Sequence, residues 1–203
     1  MTGPDMWDQR YRGDGFAYGT EPNDFLVSVS ERLATGKVLC IAEGEGRNAA
    51  FLALRGHDVT AVDYSSVGLA KANDLAARHG VRITTRLADL TDFDFERERW
   101  DGIVSIFCHL DPSLRRSVHT RIVGALKPGG LLALEAYTPQ QLALGTGGPP
   151  KRELLVTLDE LKTELTGLEF VIGRELERHV AEGTFHQGRS AVVQVLARKQ
   201  PRR

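Results

Sequence analysis

The sequence predicts an α/β fold: a doubly wound, mostly parallel, seven-stranded sheet with helices on both faces, closed by a C-terminal antiparallel strand pair. Three observations predict it. Short apolar, β-branched runs alternate with helix-length amphipathic runs from residue 37 to residue 137. A glycine turn, GEGRNA (44–49), joins the first apolar run to the first of these helices. Near the C-terminus two strand-like runs follow one another with no helix between them, which reads as an antiparallel pair.

Element by element, the first 36 residues hold one helix, roughly 22–34, behind an aromatic-rich front segment that looks mobile. KVLCIA (37–42) is the first strand, and RNAAFLALRG (47–56) is a helix that Gly56 ends. DVTAVD (58–63) is the second strand; SSVGLAKANDLAARHG (65–80) is a helix with Ser65 or Ser66 as N-cap and Gly80 as stop. VRITTRLADL (81–90) and WDGIVSIF (100–107) are the third and fourth strands. DPSLRRSVHTRIVGAL (111–126) is a helix with Asp111 as cap and Pro112 at its first position, and LKPGG (126–130) turns into the fifth strand, LLALEAY (131–137). After a helix at 157–166 come EFVIGRELERHV (169–180) and RSAVVQVLARK (189–199), the closing pair. One domain over 1–203 is expected: a lid and helix (1–36), a cofactor-binding core (37–137), and an acceptor loop with a hairpin (138–203).

Composition narrows the function classes. The 203 residues carry 26 basic and 27 acidic side chains mixed along the chain, for a net charge of −1, so bulk attraction to nucleic acid or an anionic membrane is not expected. The basic tail ARKQPRR (197–203) reads as a solvated end. No apolar run reaches bilayer length and the N-terminus is no signal peptide, so a cytoplasmic location is expected. Cys40 and Cys108 form neither a disulfide framework nor a metal-ligand spacing; both are expected to be reduced, with no metal.

In a doubly wound sheet ligands bind beyond the carboxyl ends of the strands, where the turn CIAEGEGRNA (40–49) lies. Gly44 and Gly46 would let the backbone approach a ligand, and the helix opening with Arg47 and Asn48 would offer unpaired N–H groups to an anion. Asp63, at the end of the second strand and beside Tyr64, suits the two hydroxyls of a ribose. Asp89 suits an adenine amino group, with Leu90 and Phe107 as walls around the ring. The spacing Gly44-Glu45-Gly46-Arg47-Asn48-Ala49, with Asp63 17 residues beyond Gly46, fits NAD as well as S-adenosylmethionine, and a bare turn carries no ligand at all. Asp89, LKPGG and the antiparallel ending favour S-adenosylmethionine, with S-adenosylhomocysteine as product. No residues remain for the second domain a dehydrogenase would need.

The chain resembles the class I S-adenosylmethionine-dependent methyltransferases, and within them the tellurite-resistance and thiopurine methyltransferase-like branch. WDQRY (7–11), YGTEPNDFL (18–26), GEGRNA (44–49), VTAVDYS (59–65), LKPGG (126–130) and EGTFHQG (182–188) carry the resemblance, which covers nearly the whole chain. It implies a Rossmann-like methyltransferase fold. Members of the family often have an acid at the place of Cys40 and a glycine at that of Ala42. Here Glu43 is expected to take over the acid's hold on an ammonium group, and the methyl of Ala42 is compatible with a negative φ but not with a positive one.

On the acceptor side, Trp7, Tyr11, Phe16 and Tyr18 either form a lid or pin the front segment to the core. His109 and Tyr137 follow the fourth and fifth strands, near the methyl to be transferred. The loop at 138–153, with Gly147, Gly148, Pro149 and Pro150, is either a lid or a rigid turn. Arg178, Glu182 and His186 either line the acceptor pocket or decorate an exposed hairpin. The catalytic candidates are therefore His109, Tyr18, Tyr137, Arg178 and His186. A small-molecule acceptor is expected, a thiol or a chalcogen oxyanion such as tellurite, which needs little help from a base, whereas a hydroxyl would need one. The alternatives are a non-catalytic cofactor-binding protein and an NAD-dependent oxidoreductase.

Overall fold

A computed structural model describes residues 4–201. Its seven strands are β1 (Lys37–Ile41), β2 (Asp58–Asp63), β3 (Thr84–Leu87), β4 (Trp100–Ile106), β5 (Leu126–Tyr137), β6 (Leu168–Glu182) and β7 (His186–Lys199). They form one sheet in the order β3-β2-β1-β4-β5-β7-β6, parallel except for β7, which runs antiparallel to both β5 and β6. The helices are α1 (Pro4–Tyr11), α2 (Asp24–Val29), α3 (Arg47–Leu54), α4 (Ser66–Arg78), α5 (Pro112–Ala125), α6 (Gln141–Leu144) and α7 (Leu158–Glu164). No helix among the described residues is long and apolar enough to cross a membrane.

The period-two alternation of the strands divides the core between the two faces of the sheet. Leu39, Ile41, Val62, Ile103, Leu132, Leu134 and Val195 pack with Val118 and Ile122 of α5 and Leu161 of α7. Val38, Cys40, Val59, Ala61, Val104, Ala133 and Leu196 pack with Phe25, Leu26 and Val29 of α2, Leu52 of α3 and Leu69 of α4. Cys40 and Cys108 are both free thiols.

Several local expectations need correction. The front segment holds two helices, not one. In α1 the apolar residues are too few for a stripe, and only the i, i+4 pair Trp7 and Tyr11, with rings 5.6 Å apart, marks its inner face. α2 stops at Val29 and passes into a 3-10 turn, Ser30–Arg32. β3 covers only four residues of the expected ten, and β5 begins five residues early because Leu126 pairs with Trp100 before a register break. Ser65, rather than Ser66, caps α4 by accepting from Gly68 N. Asp111 precedes α5 but its side chain makes no cap hydrogen bond, so Pro112 and backbone bonds start that helix. The front segment is also anchored, as its contacts below make plain.

Gly46 shows how the sequence fits the packing. It stands at φ 86°, and a Cβ there would lie 2.5 Å from that of Ala72, so it brings α3 against α4 rather than a ligand against the backbone. Gly46→Ala combines left-handed strain with overpacking. It is expected to lower unfolding stability by about 2–5 kcal/mol, read as a shift in the urea midpoint.

Candidate active site

The sheet order reverses between β1 and β4, and in doubly wound sheets the crevice beyond the carboxyl ends at such a point is where ligands bind. Both strands leave the sheet through a non-glycine residue in the left-handed region, Ala42 at φ 48° and Phe107 at φ 53°. Each costs about 1–2 kcal/mol, and such strain concentrates at functional sites. Ala42 therefore holds the conformation its methyl was expected to oppose. The neighbouring bonds Glu43 N to Val62 O (3.2 Å) and Phe107 N to Glu135 O (2.8 Å) lock the two exits in place.

Glu43 does more than the turn pattern suggests. Its Oε1 accepts hydrogen bonds from Asn48 N at 3.0 Å and Ala49 N at 2.8 Å, so the start of α3 is capped from within and those donors are not free for an anion. Burial pushes the Glu43 carboxyl up to about 7, against the lowering pull of those bonds and of Arg47. Asp63 ties the first two turns together, accepting from Gly44 N at 2.9 Å and Ser65 N at 2.8 Å; burial raises its pKa as well. The space beside Gly44 is taken by the Tyr11 hydroxyl, which would lie 2.6 Å from an added Cβ.

Around this pair, Asp8 of α1 accepts from the Ser65 hydroxyl at 2.5 Å, and Trp7 hydrogen-bonds Tyr64. Asp89 is exposed, its carboxylate held by Thr91 N at 2.7 Å, while Leu90 is buried in the core below. Burial lifts the Cys108 thiol to about 12, and Asp63 adds to the effect. Among the described residues, Asp8, Glu43, Asp63 and Asp89 form no ion pair. Although Arg47 still acts on Glu43, these four carboxylates fit a ligand that brings positive charge.

Behind the crevice lies a buried polar network. Asn23 Nδ2 donates to Glu135 and Glu182, both at 2.9 Å, while Asn23 N donates to Asn48 Oδ1 at 3.0 Å. Arg178 bonds Glu135, Glu182 (3.1 Å) and Asp24 (3.2 Å); Arg47 pairs with Glu182 at 2.5 Å; Gln194 Nε2 donates to Glu135 at 2.5 Å. Two carboxylates, Glu135 and Glu182, thereby balance two guanidiniums. Burial raises Glu182, yet His186, Arg47 and Arg178 outweigh it and hold the carboxyl at about 2. Arg178 and Glu182 therefore neither decorate an exposed hairpin nor line the pocket. With Arg47 and Asn48 they clamp the front segment to the β6–β7 hairpin. The hub residues Asn23, Glu135 and Gln194 escaped the sequence reading, although Glu135 and Gln194 are lone polar residues inside apolar strands.

The acceptor candidates do come together. Phe107 stacks on Tyr137 at 4.6 Å, and His109 stacks on its ring at 5.5 Å. His186 meets Phe107 edge-on at 4.7 Å and Tyr18 at 4.6 Å, with the exposed Phe185 beyond. Phe107 thus belongs to this compartment rather than walling an adenine. Of the other front-segment aromatics, Trp7 and Tyr11 also pack on Tyr18, whereas Phe16 lies beneath Lys71 and Arg78. The 138–153 loop covers Tyr137: a Cβ on Gly148 would lie 2.6 Å from its ring, and one on Gly147 3.1 Å from its hydroxyl. Gln141 pins this loop to Thr146, Gly147 and Ala191.

Among the described residues five buried side-chain polar atoms lack a hydrogen-bond partner, and three sit in this compartment: His109 Nε2, Tyr137 OH and His186 Nδ1. Ser190 neighbours Tyr137, but its hydroxyl donates to the Gly188 carbonyl. Glu182 lies 3.9 Å from His186 Nδ1, too long for a well-formed hydrogen bond, although the contact still lowers the Glu182 carboxyl. Burial lowers His109 to about 4, lowers His186 and raises Tyr137, so all three are neutral at pH 7.

Residues 38–130 match the family described as "Methyltransferase domain". Over this segment the chain is similar to S-adenosylmethionine-dependent methyltransferases, and its fold is the Rossmann-like methyltransferase fold. It is 31% identical over 107 residues to TehB of Haemophilus influenzae, a probable S-adenosyl-L-methionine-dependent methyltransferase, covering 49% of this chain and 37% of TehB. It is 27% identical over 137 residues to the 2-heptyl-1-hydroxyquinolin-4(1H)-one methyltransferase of Mycobacteroides abscessus, covering 62% and 60% of the two chains. The chain therefore spans less than two thirds of the length of these relatives. The crystal structure of H. influenzae TehB superposes with a TM-score of 0.73 at 22% identity, covering 97% of this chain and 67% of that one. The N-methyltransferase NodS of Bradyrhizobium japonicum, in complex with S-adenosyl-L-homocysteine, gives 0.72 at 17% identity over 97% of both chains. At these identities the two structures establish the fold, and S-adenosylmethionine is the cofactor of the family.

Two outcomes follow from the buried charges. Glu135→Ala would leave Arg47 and Arg178 sharing Glu182 as their one buried carboxylate and is expected to cost about 3–5 kcal/mol in denaturant unfolding. Glu182 has a folded pKa of about 2, below its unfolded value, so its stabilisation is present above pH 4.5 and lost as the pH falls towards 2. His109, held near 4, adds a loss that begins as the pH falls through 6.5, whereas Glu43, raised to about 7, acts oppositely, its contribution fading as the pH climbs from 4.5 through 7. Melting temperatures of the wild type and Glu43→Gln across pH 3–8 check the signs: the variant should lose less stability than the wild type between pH 5 and 8.

Proposed function

We propose that this protein transfers a methyl group from S-adenosylmethionine to a small-molecule acceptor. The observation that carries the reading is the crevice with four unpaired carboxylates whose helix N-terminus is already capped by Glu43. A dinucleotide pyrophosphate rests on free N–H groups at such a helix start; here it would face a carboxylate instead. A ligand with a sulfonium and an ammonium group supplies the charge the crevice lacks. Asp63 and Tyr64 would hold its ribose, Asp89 and Leu90 its adenine, and Glu43, through its second oxygen, its ammonium. Tyr11 and Trp7 would cover it. When bound, S-adenosylmethionine supplies an activated methyl group on sulfur.

The chain's own residues orient the acceptor and exclude water, and positioning of this kind can contribute roughly 7–11 kcal/mol. The likeness to TehB supports a thiol or a chalcogen oxyanion such as tellurite as acceptor. The likeness to the M. abscessus enzyme supports a hydroxylated heteroaromatic ring.

Titration calorimetry tests the cofactor assignment. S-adenosylmethionine and S-adenosylhomocysteine should bind at micromolar Kd, roughly −8 kcal/mol, and NAD at least about 100-fold more weakly. Asp63→Asn should weaken binding about tenfold or more, in keeping with loss of charged hydrogen bonds worth roughly 1.5–3 kcal/mol. Because Asp63 also joins two turns, its thermal stability should fall too. With Glu43 near half-protonated at pH 7, a bound cation should expel about half a proton. That release, read from the buffer dependence of the heat, should vanish in Glu43→Gln. Equal affinity for NAD would overturn the reading.

A further inference from the structure

The acceptor compartment differs in electrostatic character from the crevice beside it. His109 Nδ1 faces the Leu154 carbonyl at 3.2 Å, and a carbonyl only accepts, so Nδ1 carries the proton. Nε2 of the neutral ring is then a bare lone pair, buried and unpartnered. The Tyr137 hydroxyl is fully buried, protonated and able to donate. One vacant acceptor and one vacant donor therefore lie on two stacked rings, 5.5 Å apart, with Phe107 stacked on Tyr137 as well and 6.2 Å from the His109 ring.

The nearby cations are already engaged. Arg47 and Arg178 are committed to Glu182 and Glu135, and Arg115 to Glu164. Arg10 is bonded to the Tyr18 hydroxyl at 2.8 Å and sits against the Trp7 and Phe185 rings, with Tyr18 standing between it and His186. Of these cations, Arg10 alone forms no ion pair among the described residues, but the neutral Tyr18 ring stands between it and His186. An oxyanion held between His109 and Tyr137 would have no counter-ion in contact, and burying one unpaired is costly. Flat walls and two complementary orphans suit a different guest.

We propose that the acceptor is an uncharged aromatic or heteroaromatic ring with a hydroxyl as nucleophile: the hydroxyl donates to His109 Nε2, and a neighbouring ring nitrogen or oxygen accepts from the Tyr137 hydroxyl. This rests on the methyltransferase reading above. In the step, the acceptor O–H proton passes to His109 Nε2, the oxygen forms the new C–O bond, and the carbon–sulfur bond of the sulfonium breaks with its electron pair left on sulfur. Positive charge moves from sulfonium to imidazolium and total charge is conserved. The imidazolium then releases its proton to solvent.

The Leu154 turn makes this base a positioned one. Arg115 donates to the Glu153 carbonyl at 3.2 Å and to Glu164 of α7, so the carbonyl that sets the His109 tautomer is braced by a buried ion pair.

The test separates cofactor from acceptor. S-adenosylmethionine binding is measured first by calorimetry, and its absence refutes the methyltransferase reading and this proposal together. With binding established, methyl transfer is measured to 8-hydroxyquinoline, 3-hydroxyquinolin-4(1H)-one and 1-hydroxyquinolin-4(1H)-one, to tellurite, and to an aryl thiol. Transfer to at least one hydroxylated ring, about tenfold or more above tellurite and the thiol, is expected. His109→Ala should then lower kcat about 100-fold or more with cofactor Kd unchanged, and Tyr137→Phe should act mainly on KM. Preference for tellurite or the thiol, or cofactor binding without transfer to any hydroxylated ring, overturns the acceptor class while leaving the cofactor assignment standing. An unchanged kcat in His109→Ala overturns the base.

Discussion

The site depends on the buried ion network in which Asn23, Arg47, Glu135, Arg178, Glu182 and Gln194 meet. Two acids and two guanidiniums in the interior are tolerable only because each is matched and hydrogen-bonded. No single element supplies them: they come from the front segment, the start of α3, the end of β5 and both strands of the hairpin. Satisfying the charges therefore requires all four parts to be in place at once. That requirement brings Tyr18 and His186 against Phe107 and Tyr137 and so assembles the acceptor compartment. The same commitment ties the Arg47 and Arg178 guanidiniums to carboxylates of the protein rather than to a ligand.

Glu43 imposes the second constraint. A carboxylate folded back onto Asn48 N and Ala49 N needs the chain to reverse sharply after β1, which is where Ala42 takes its left-handed conformation. The cap and the strain are two sides of one geometry: the helix gains charge-assisted bonds, and Ala42 gives up about 1–2 kcal/mol. Glycine at that position would relieve the strain. Cys40 is inert in this arrangement, packed against Val104 of β4 and its thiol raised far from ionisation by burial.

Much of this was legible in the sequence because it follows from local periodicity. The parallel core, the antiparallel closure and the placing of His109 and Tyr137 at strand ends follow from alternating runs and from where each residue falls along them, whereas for His186 that place was only one of two readings. What escaped is non-local or polar on a short element. α1 carries only two inward aromatics, too few to register as a stripe. Asn23 sits in a loop-like EPND stretch and its role appears only when Glu135 and Glu182 are brought beside it. Glu135 in LLALEAY and Gln194 in VVQVL were readable signals, since a polar residue fully buried in a central strand must have a partner. The pairing of Arg47 with Glu182, 135 positions away, has no local signature. Gly46 was misjudged for a similar reason, since helix packing and ligand approach ask for the same missing Cβ.

Phe107 links the two compartments. Its left-handed turn ends β4 so that its own ring joins Tyr137 and His186, while the next residue, Cys108, lies close enough to Asp63 to feel its charge. An extended residue there would continue the alternation of the strand and exchange the two faces. On one side of this turn stand carboxylates with no ion-pair partner among the described residues; on the other stand neutral rings with vacant polar atoms. Methyl transfer consumes a positive charge on sulfur and needs an unprotonated, well-oriented nucleophile next to it. A polar crevice alone would hold the cation but hydrate the nucleophile, and an apolar pocket alone would orient the nucleophile but reject the cation. The strained turn at Phe107 lets one strand end serve both requirements, which gives a physical reason for a bulky residue to persist at a positive φ.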